Sequence, residues 1–149
     1  MKEIAQSLLT KYSIQDKVVS LELAKKMKER GWNFETERVW YRPISDIIEW
    51  RVIYYTELPQ AYKDKDFPTI NGKLFCYYPA PDAIEIINKL PDLVNNHLWH
   101  LMKGKGWWNF GYFNSDAKQF WVGDKRFSEK TLTECLGKMW LYLKEKKLI

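Results

Sequence analysis

The stretch LWHLMKGKGWWNFGYF, residues 98–113, decides the fold class of this chain. Two runs of aromatic and aliphatic residues, Leu98 to Lys103 and Trp107 to Phe113, flank the turn Gly104-Lys105-Gly106. Runs of this kind on both sides of a glycine-containing turn predict an antiparallel β-hairpin. A further run, Gln119 to Val122, follows a second polar turn, so we expect the hairpin to continue into a three-stranded meander.

Three more strands are predicted upstream, because β-branched and aromatic residues are enriched in strands. They are Arg38 to Arg42, Ile47 to Tyr55 and Lys73 to Tyr78. Pro43 separates the first two, and the turn signal Asn71-Gly72 begins the third. Together with the meander, these segments predict an antiparallel sheet of five to six strands.

Helical patterns frame the strands. Ser20 is a natural N-cap for a helix that ends at Gly31, where a left-handed conformation is favoured. A second helix is expected to begin in the segment Pro79-Ala80-Pro81-Asp82 and to end at Pro91. A shorter apolar pattern, Ile4 to Tyr12, makes residues 1–17 a candidate peripheral N-terminal helix.

The last helix has the clearest pattern of all. Thr131 and Glu134 have the spacing of a capping box, with Ser128 as a competing N-cap. An apolar stripe at helical spacing follows. Its members are Leu132, Cys135, Leu136, Met139, Trp140 and Leu143. The order α-α-β-β-β-α-β-β-β-α predicts one α+β domain, residues 1–149, with helices packed on one face of the sheet.

Composition narrows the class of protein. The sequence has no run of eighteen apolar residues, so it predicts no membrane-spanning helix. The polar residues Glu3, Gln6 and Ser7 interrupt the apolar residues at the N-terminus, which argues against a signal peptide. Two cysteines in 149 residues favour a reducing cytoplasm. The net charge of +5 favours anionic partners. Eight Trp, nine Tyr and seven Phe exceed what one small core needs, so some should lie in a pocket, a groove or a subunit interface.

No catalytic or metal motif is present, so we predict that the protein is not an enzyme and needs no cofactor. His97 and His100 lack the further ligands of a zinc site and are expected to be ordinary, partly exposed histidines. Cys76 lies within an apolar strand and Cys135 on the apolar stripe of the last helix. Both thiols are therefore expected to be buried and inert.

Three segments of the chain resemble a widespread group of short, largely uncharacterised bacteriophage and prophage proteins. They are VVSLELAKKMKERGW near the start, LFCYYPAPDAIEIINKLP in the middle and TECLGKMWLYLKEKKLI at the end. The group shares a VSxELAKxLKExGF helix, a C-Y-x-P-(T or D) junction and an EALxKLxLWL-like final helix. The resemblance implies a phage accessory protein in a bacterial cytoplasm, and it transfers no catalytic residue. The chain departs from the group at Trp99 to Trp121, which is rich in tryptophan.

A basic and aromatic ligand site is predicted in two places. On the hairpin and in the first strand, cationic side chains stand beside rings on which a base could stack. Alternation puts Trp107 and Trp108 on opposite faces, so at most one of them stacks. The competing interpretation is a hairpin whose aromatics complete the core and whose lysines protect an edge strand. The candidate ligand-binding residues are Trp107, Trp108, Lys103, Lys105, Tyr112, Arg38, Trp40 and Arg42.

The sequence thus favours a binding protein that captures an anionic, base-containing small ligand, such as a nucleotide or a nucleotide immune signal. A homodimer that buries spare tryptophans would fit this role. The alternative is a protein–protein interaction module that inhibits a host factor, because exposed Trp, Tyr and Arg are frequent in hot spots. Single-stranded nucleic-acid binding is third, since +5 is a small charge for it.

Overall fold

The computed structural model describes residues 17–42, 49–63, 69–70, 73–74, 77–114, 116 and 121–149. The candidate N-terminal helix Ile4 to Tyr12 and Cys76 lie outside these ranges. The elements are α1 (Leu21–Glu29), β1 (Arg38–Tyr41), β2 (Arg51–Tyr54), α2 (Gln60–Lys63), β3 (Thr69–Ile70), β4 (Lys73–Leu74), β5 (Tyr78–Pro79), α3 (Ala83–Ile87), β6 (Leu93–Val94), β7 (His97–Gly104), β8 (Trp107–Phe113), β9 (Trp121–Glu129) and α4 (Leu132–Glu145). The predicted α+β class is confirmed.

The larger sheet is antiparallel, with strand order β6-β7-β8-β9. Its centre is the predicted hairpin, in register from Gly104 opposite Trp107 to Leu98 opposite Phe113. The third strand of the meander was predicted to end at Val122, but β9 pairs with β8 as far as Glu129. The extension was not predicted because most residues of β9 after Val122 are polar and do not show the apolar pattern of a strand.

A second sheet has the order β2-β1-β5, and β3 and β4 form a separate pair. The prediction of a single sheet is therefore wrong in this detail. The predicted strand from Lys73 to Tyr78 divides as well: its beginning belongs to β4 and its end to β5, which pairs with β1. In β1, Val39 lies opposite Ile53 of β2 and Pro79 of β5, so β1 is the central strand.

Three side-chain caps fix the starts of the longer helices and of α3. Ser20 accepts a hydrogen bond from the backbone N–H of Leu23, and Thr131 accepts one from that of Glu134. Asp82 caps α3 in a reciprocal capping box with Glu85. Because each cap satisfies a backbone donor that the helix leaves free, these residues define where the helices begin. Thr131, not Ser128, is therefore the N-cap of α4.

The main core lies between the helices and one face of the larger sheet, which we call its inner face. Trp108, Phe110 and Tyr112 of β8 project from this face into the same cluster as Leu136 and Trp140 of α4. The opposite side of the sheet is called the outer face. Among the described helices, none has both the length and the apolar character that a membrane crossing requires.

Candidate functional site

The structure places the predicted hairpin residues on both sides of the sheet. Trp108 and Tyr112 are buried in the main core, and the Tyr112 hydroxyl donates to the carbonyl of Pro91 at 2.6 Å. The burial of both rings argues against the predicted role of these two residues in stacking on a ligand. Trp107 is 38% exposed on the outer face, where its indole lies across Gly104.

The sheet also separates the predicted cations from the exposed ring. Lys103 lies opposite Trp108 across the hairpin, so it shares the inner side with that residue, and its ammonium lies 5.1 Å from the Trp108 ring centroid. Lys105 is exposed in the turn. Trp107 and Lys103 therefore lie on opposite faces of the sheet and do not form one binding surface.

Arg38 and Trp40 of β1 make contacts within the protein that hold β1 against its neighbours. Arg38 is buried, with its guanidinium 2.7 Å from the carboxylate of Asp82. The Trp40 indole N–H donates to the carbonyl of Val19 at 2.8 Å, which ties β1 to the start of α1. Arg42 follows β1 and is half-buried. The predicted alternation in β1 holds, but it directs Arg38 and Trp40 towards the protein interior.

A different group of residues forms a cleft of about 520 Å³. It lies between the C-terminal end of α1, the loop that follows it and the smaller sheet. Ligand pockets for small molecules have volumes of roughly 300–1,000 Å³, so this cleft has a suitable size. It is lined by Lys28, Gly31, Trp32, Asn33, Phe34, Glu35, Thr36, Val39, Tyr55, Tyr77 and Pro79. None of the eight residues predicted from the sequence is among them.

Two edge-to-face aromatic pairs stand on the walls of the cleft. Trp32 and Phe34 have ring centroids 5.1 Å apart, and Tyr55 and Tyr77 have centroids 6.0 Å apart. Trp32 is further fixed by Trp140 of the main core, at 5.0 Å. Edge-to-face contacts of this kind hold rings in defined orientations. The cleft therefore has preformed aromatic walls contributed by three separate parts of the chain.

Three of the four lining rings have a lysine ammonium over them. The Nζ atoms of Lys89, Lys63 and Lys28 lie 4.2, 5.0 and 5.6 Å from the ring centroids of Phe34, Tyr55 and Tyr77, respectively. Lys28 also donates to the carbonyl of Tyr77 at 3.0 Å, which holds its side chain against the wall. Ammonium groups near ring faces place positive charge beside apolar surface.

Two hydrogen bonds, one from a side chain and one from the backbone, anchor the loop that carries Phe34. The Thr36 hydroxyl donates to the carbonyl of Arg38 at 2.7 Å, and the N–H of Glu37 donates to the Glu85 carboxylate at 2.7 Å. Burial raises the pKa of Glu85 above its ordinary value, although backbone donors at Asp82 and Glu37 oppose this shift. Burial, with the neighbouring Tyr55, also raises the pKa of Tyr77, so this phenol keeps its proton at neutral pH.

Cys135, His97 and His100, the described side chains considered as a nucleophile or as metal ligands, do not line the cleft. Cys135 is buried, its thiol contacts the carbonyl of Phe127 at 3.0 Å, and burial raises its pKa to about 12. His97 is buried, contrary to the expectation of partial exposure, with Nδ1 2.7 Å from the carbonyl of Asn95, whereas His100 is exposed. No cluster of three or more potential metal ligands occurs within the described ranges.

Sequence reasoning missed the cleft, although its residues leave traces in the sequence. The segment Gly31-Trp32-Asn33-Phe34 places two rings directly after a helix, and Tyr54-Tyr55 and Tyr77-Tyr78 are tyrosine doublets. Each trace alone is typical of ordinary strands and loops. Only the pairing of β1 with both β2 and β5 brings the three segments together.

Comparison with known proteins does not add a family. No protein-family model matches the chain, and searches of curated proteins and of solved structures found no significant similarity. The function must therefore be inferred from the geometry of the cleft.

Proposed function

We propose that this protein is a non-catalytic binding protein whose cleft captures a small anionic ligand that contains an aromatic base, such as a nucleotide. The observation that carries the proposal is a cleft of about 520 Å³ lined by four rings, three of which have a lysine ammonium within 5.6 Å of their centroids. The proposal keeps the ligand class that the sequence favours and replaces the residues that bind it.

The lining residues match the parts of such a ligand. Phe34, Tyr55 and Tyr77 offer accessible ring surfaces for the base, and the buried Trp32 supports Phe34 from behind by an edge-to-face contact. Lys28 lines the cleft and would bind the phosphate, while Lys63 and Lys89, whose ammonium groups lie over the rings of Tyr55 and Phe34, add positive charge nearby. Arg or Lys contacts to phosphate are strong because the acceptor is charged. The Asn33 amide and the Glu35 carboxylate line the same cleft and can exchange hydrogen bonds with a base edge.

A thermal-shift screen tests the proposal with mononucleotides, cyclic oligonucleotides and short single strands, at low and moderate salt. A ligand at a hundred times its dissociation constant stabilises the fold by about 2.7 kcal/mol, which raises the melting temperature by several degrees. We expect a salt-tolerant shift with a small nucleotide. Melting that no nucleotide alters would exclude the proposal, and a shift with long strands only, lost steeply with salt, would favour single-strand binding.

Two exposed aromatic residues provide a matched pair of variants. Tyr55 lines the cleft and is 37% exposed, whereas Trp107 is 38% exposed on the outer face of the larger sheet. Loss of a stacking ring costs about 1–3 kcal/mol per base, or roughly 5- to 150-fold in affinity. Calorimetric titration should show this loss in Tyr55→Ala and unchanged affinity in Trp107→Ala. Equal losses in both variants would contradict binding in the cleft.

The resemblance to phage proteins suggests a biological setting for this activity. If the chain shares their origin, the ligand would be a nucleotide immune signal of the bacterial host, and the protein would act by sequestering it. Cyclic oligonucleotides are the ligands in the screen that address this version. Binding of mononucleotides alone would retain the cleft as a nucleotide site and remove the immune signal.

A further inference from the structure

Strand β7 forms an incomplete edge of the larger sheet. It has eight residues, but β6 pairs only with His97 and Leu98. Within the part of the chain that the structure describes, no strand lies beside Trp99 to Gly104 on that side. An unpaired edge of this length offers a row of backbone donors and acceptors to another strand.

The two turns that flank β7 show which backbone groups point outwards. Lys105-Gly106 is a two-residue turn, so Gly104 and Trp107 form a hydrogen-bonded pair. Hydrogen-bonded and non-hydrogen-bonded pairs alternate along antiparallel strands, so His100 and Met102 also bond to β8. The N–H and C=O groups of Trp99, Leu101 and Lys103 must then face the open side. The Asn95-Asn96 turn, with positive φ at both residues, gives the same assignment.

The outer face beside this edge is mostly apolar, with the exposed His100 between Leu98 and Met102. Leu93, Leu98 and Met102 are 51%, 62% and 40% exposed, and the exposed Trp107 continues the band across the hairpin. Leu93 lies opposite Leu98, and Gly104 lies opposite Trp107, so the register places these side chains on one face. The solvated face of an antiparallel sheet is normally polar, and contiguous apolar patches on it mark interaction surfaces.

The other edge strand, β9, differs from β7 in its charges. Lys125 and Arg126 are exposed there, next to the exposed Ser128. Charged side chains on an edge strand discourage the addition of further strands. Strand β7 contains no Asp, Glu or Arg, and Lys103 is its one lysine. The β7 edge is thus the less protected of the two.

We propose that the β7 edge binds a second copy of this chain, with the two β7 strands antiparallel about a two-fold axis near Leu101. In this arrangement Trp99 lies opposite the partner's Lys103, and His100 lies opposite the partner's Met102. No like charges face each other, and each ammonium meets an aromatic ring, which is a favourable contact. The edge therefore complements itself, and two four-stranded sheets join into one continuous sheet.

Two measurements on the full chain test whether a second copy binds at the β7 edge. Sedimentation should show a monomer–dimer equilibrium that depends on concentration. Amide hydrogen exchange followed by NMR should show that the amides of Trp99, Leu101 and Lys103 gain protection as the dimer fraction rises. The amides of His100 and Met102 bond to β8 and serve as an internal control, because they should be protected at every concentration.

The matched variants are Met102→Lys on the apolar band and Ser128→Lys on the outer face of β9. We expect Met102→Lys to weaken dimerisation at least tenfold and Ser128→Lys to leave it unchanged, with the β8 amides protected in both. A monomer at all concentrations would overturn the proposal. So would a dimer in which the three outward amides remain unprotected, or unchanged dimerisation in Met102→Lys. None of these results bears on nucleotide binding, since no β7 residue lines the cleft.

Discussion

The ion pair between Arg38 and Asp82 is the residue-scale contact that attaches the smaller sheet to the helical layer. Both side chains are nearly buried, and the two groups are 2.7 Å apart. Removing one member of a buried pair leaves an uncompensated charge, at a cost of about 3–5 kcal/mol. We therefore expect Arg38→Met to lower the free energy of unfolding by about this amount in urea denaturation.

A second substitution separates the charge from the packing. Asp82→Asn removes the negative charge while its remaining oxygen can still accept the N–H of Glu85, as the Asp82 cap does. The double variant Arg38→Met/Asp82→Asn should recover part of the stability that Arg38→Met loses. A loss below about 1 kcal/mol in Arg38→Met would be typical of an exposed pair and would contradict this account.

At the scale of elements, Glu85 in the first turn of α3 holds the loop that ends at Glu37. Its carboxylate accepts backbone hydrogen bonds from both Glu37 and Asp82. Because burial raises the pKa of Glu85 above 4.5, the folded state holds this proton more tightly than the unfolded chain. Its contribution to stability is therefore complete at low pH and is lost as pH rises through the folded pKa.

The matched variants for this pH dependence are Glu85→Gln and, at an exposed position of α1, Glu29→Gln. Denaturation between pH 4 and pH 7 should show the wild type gaining stability relative to Glu85→Gln as the pH falls. Glu29→Gln removes a carboxyl group away from this loop and is the control for the loss of one negative charge. Parallel curves for Glu85→Gln and the wild type would show that this carboxyl does not titrate differently in the two states.

The same scale shows what the sequence could and could not predict. Ser20 and Thr131 were identifiable as caps because capping depends on neighbours three residues away. The alternation of Trp107 and Trp108 was equally local, but which ring enters the core depends on where α4 packs. Val39 is a core residue of the smaller sheet for a similar reason: β2 and β5, far apart in sequence, flank it. Such non-local pairing also builds the cleft, so its position could not be predicted.

At the scale of the whole molecule, the hydrophobic residues that the structure describes form two clusters of very different size. The main core joins α1, α3, α4 and the larger sheet, whereas the smaller sheet has its own small cluster around Val39 and Leu58. Regions with few buried apolar contacts open locally at lower free energy than the main core. The smaller sheet should therefore open before the whole protein unfolds.

Native-state hydrogen exchange in low denaturant measures this difference. We expect the amides of β8 to exchange only through global unfolding and those of β1 and β2 to exchange through a cheaper local opening. The cleft spans both clusters, because it is lined by Trp32 of the main core and by Val39 and Tyr77 of the smaller cluster. A bound nucleotide would thus protect β1 and β2 more than β8. Equal protection in the free protein would mean that the two clusters unfold as one cooperative unit.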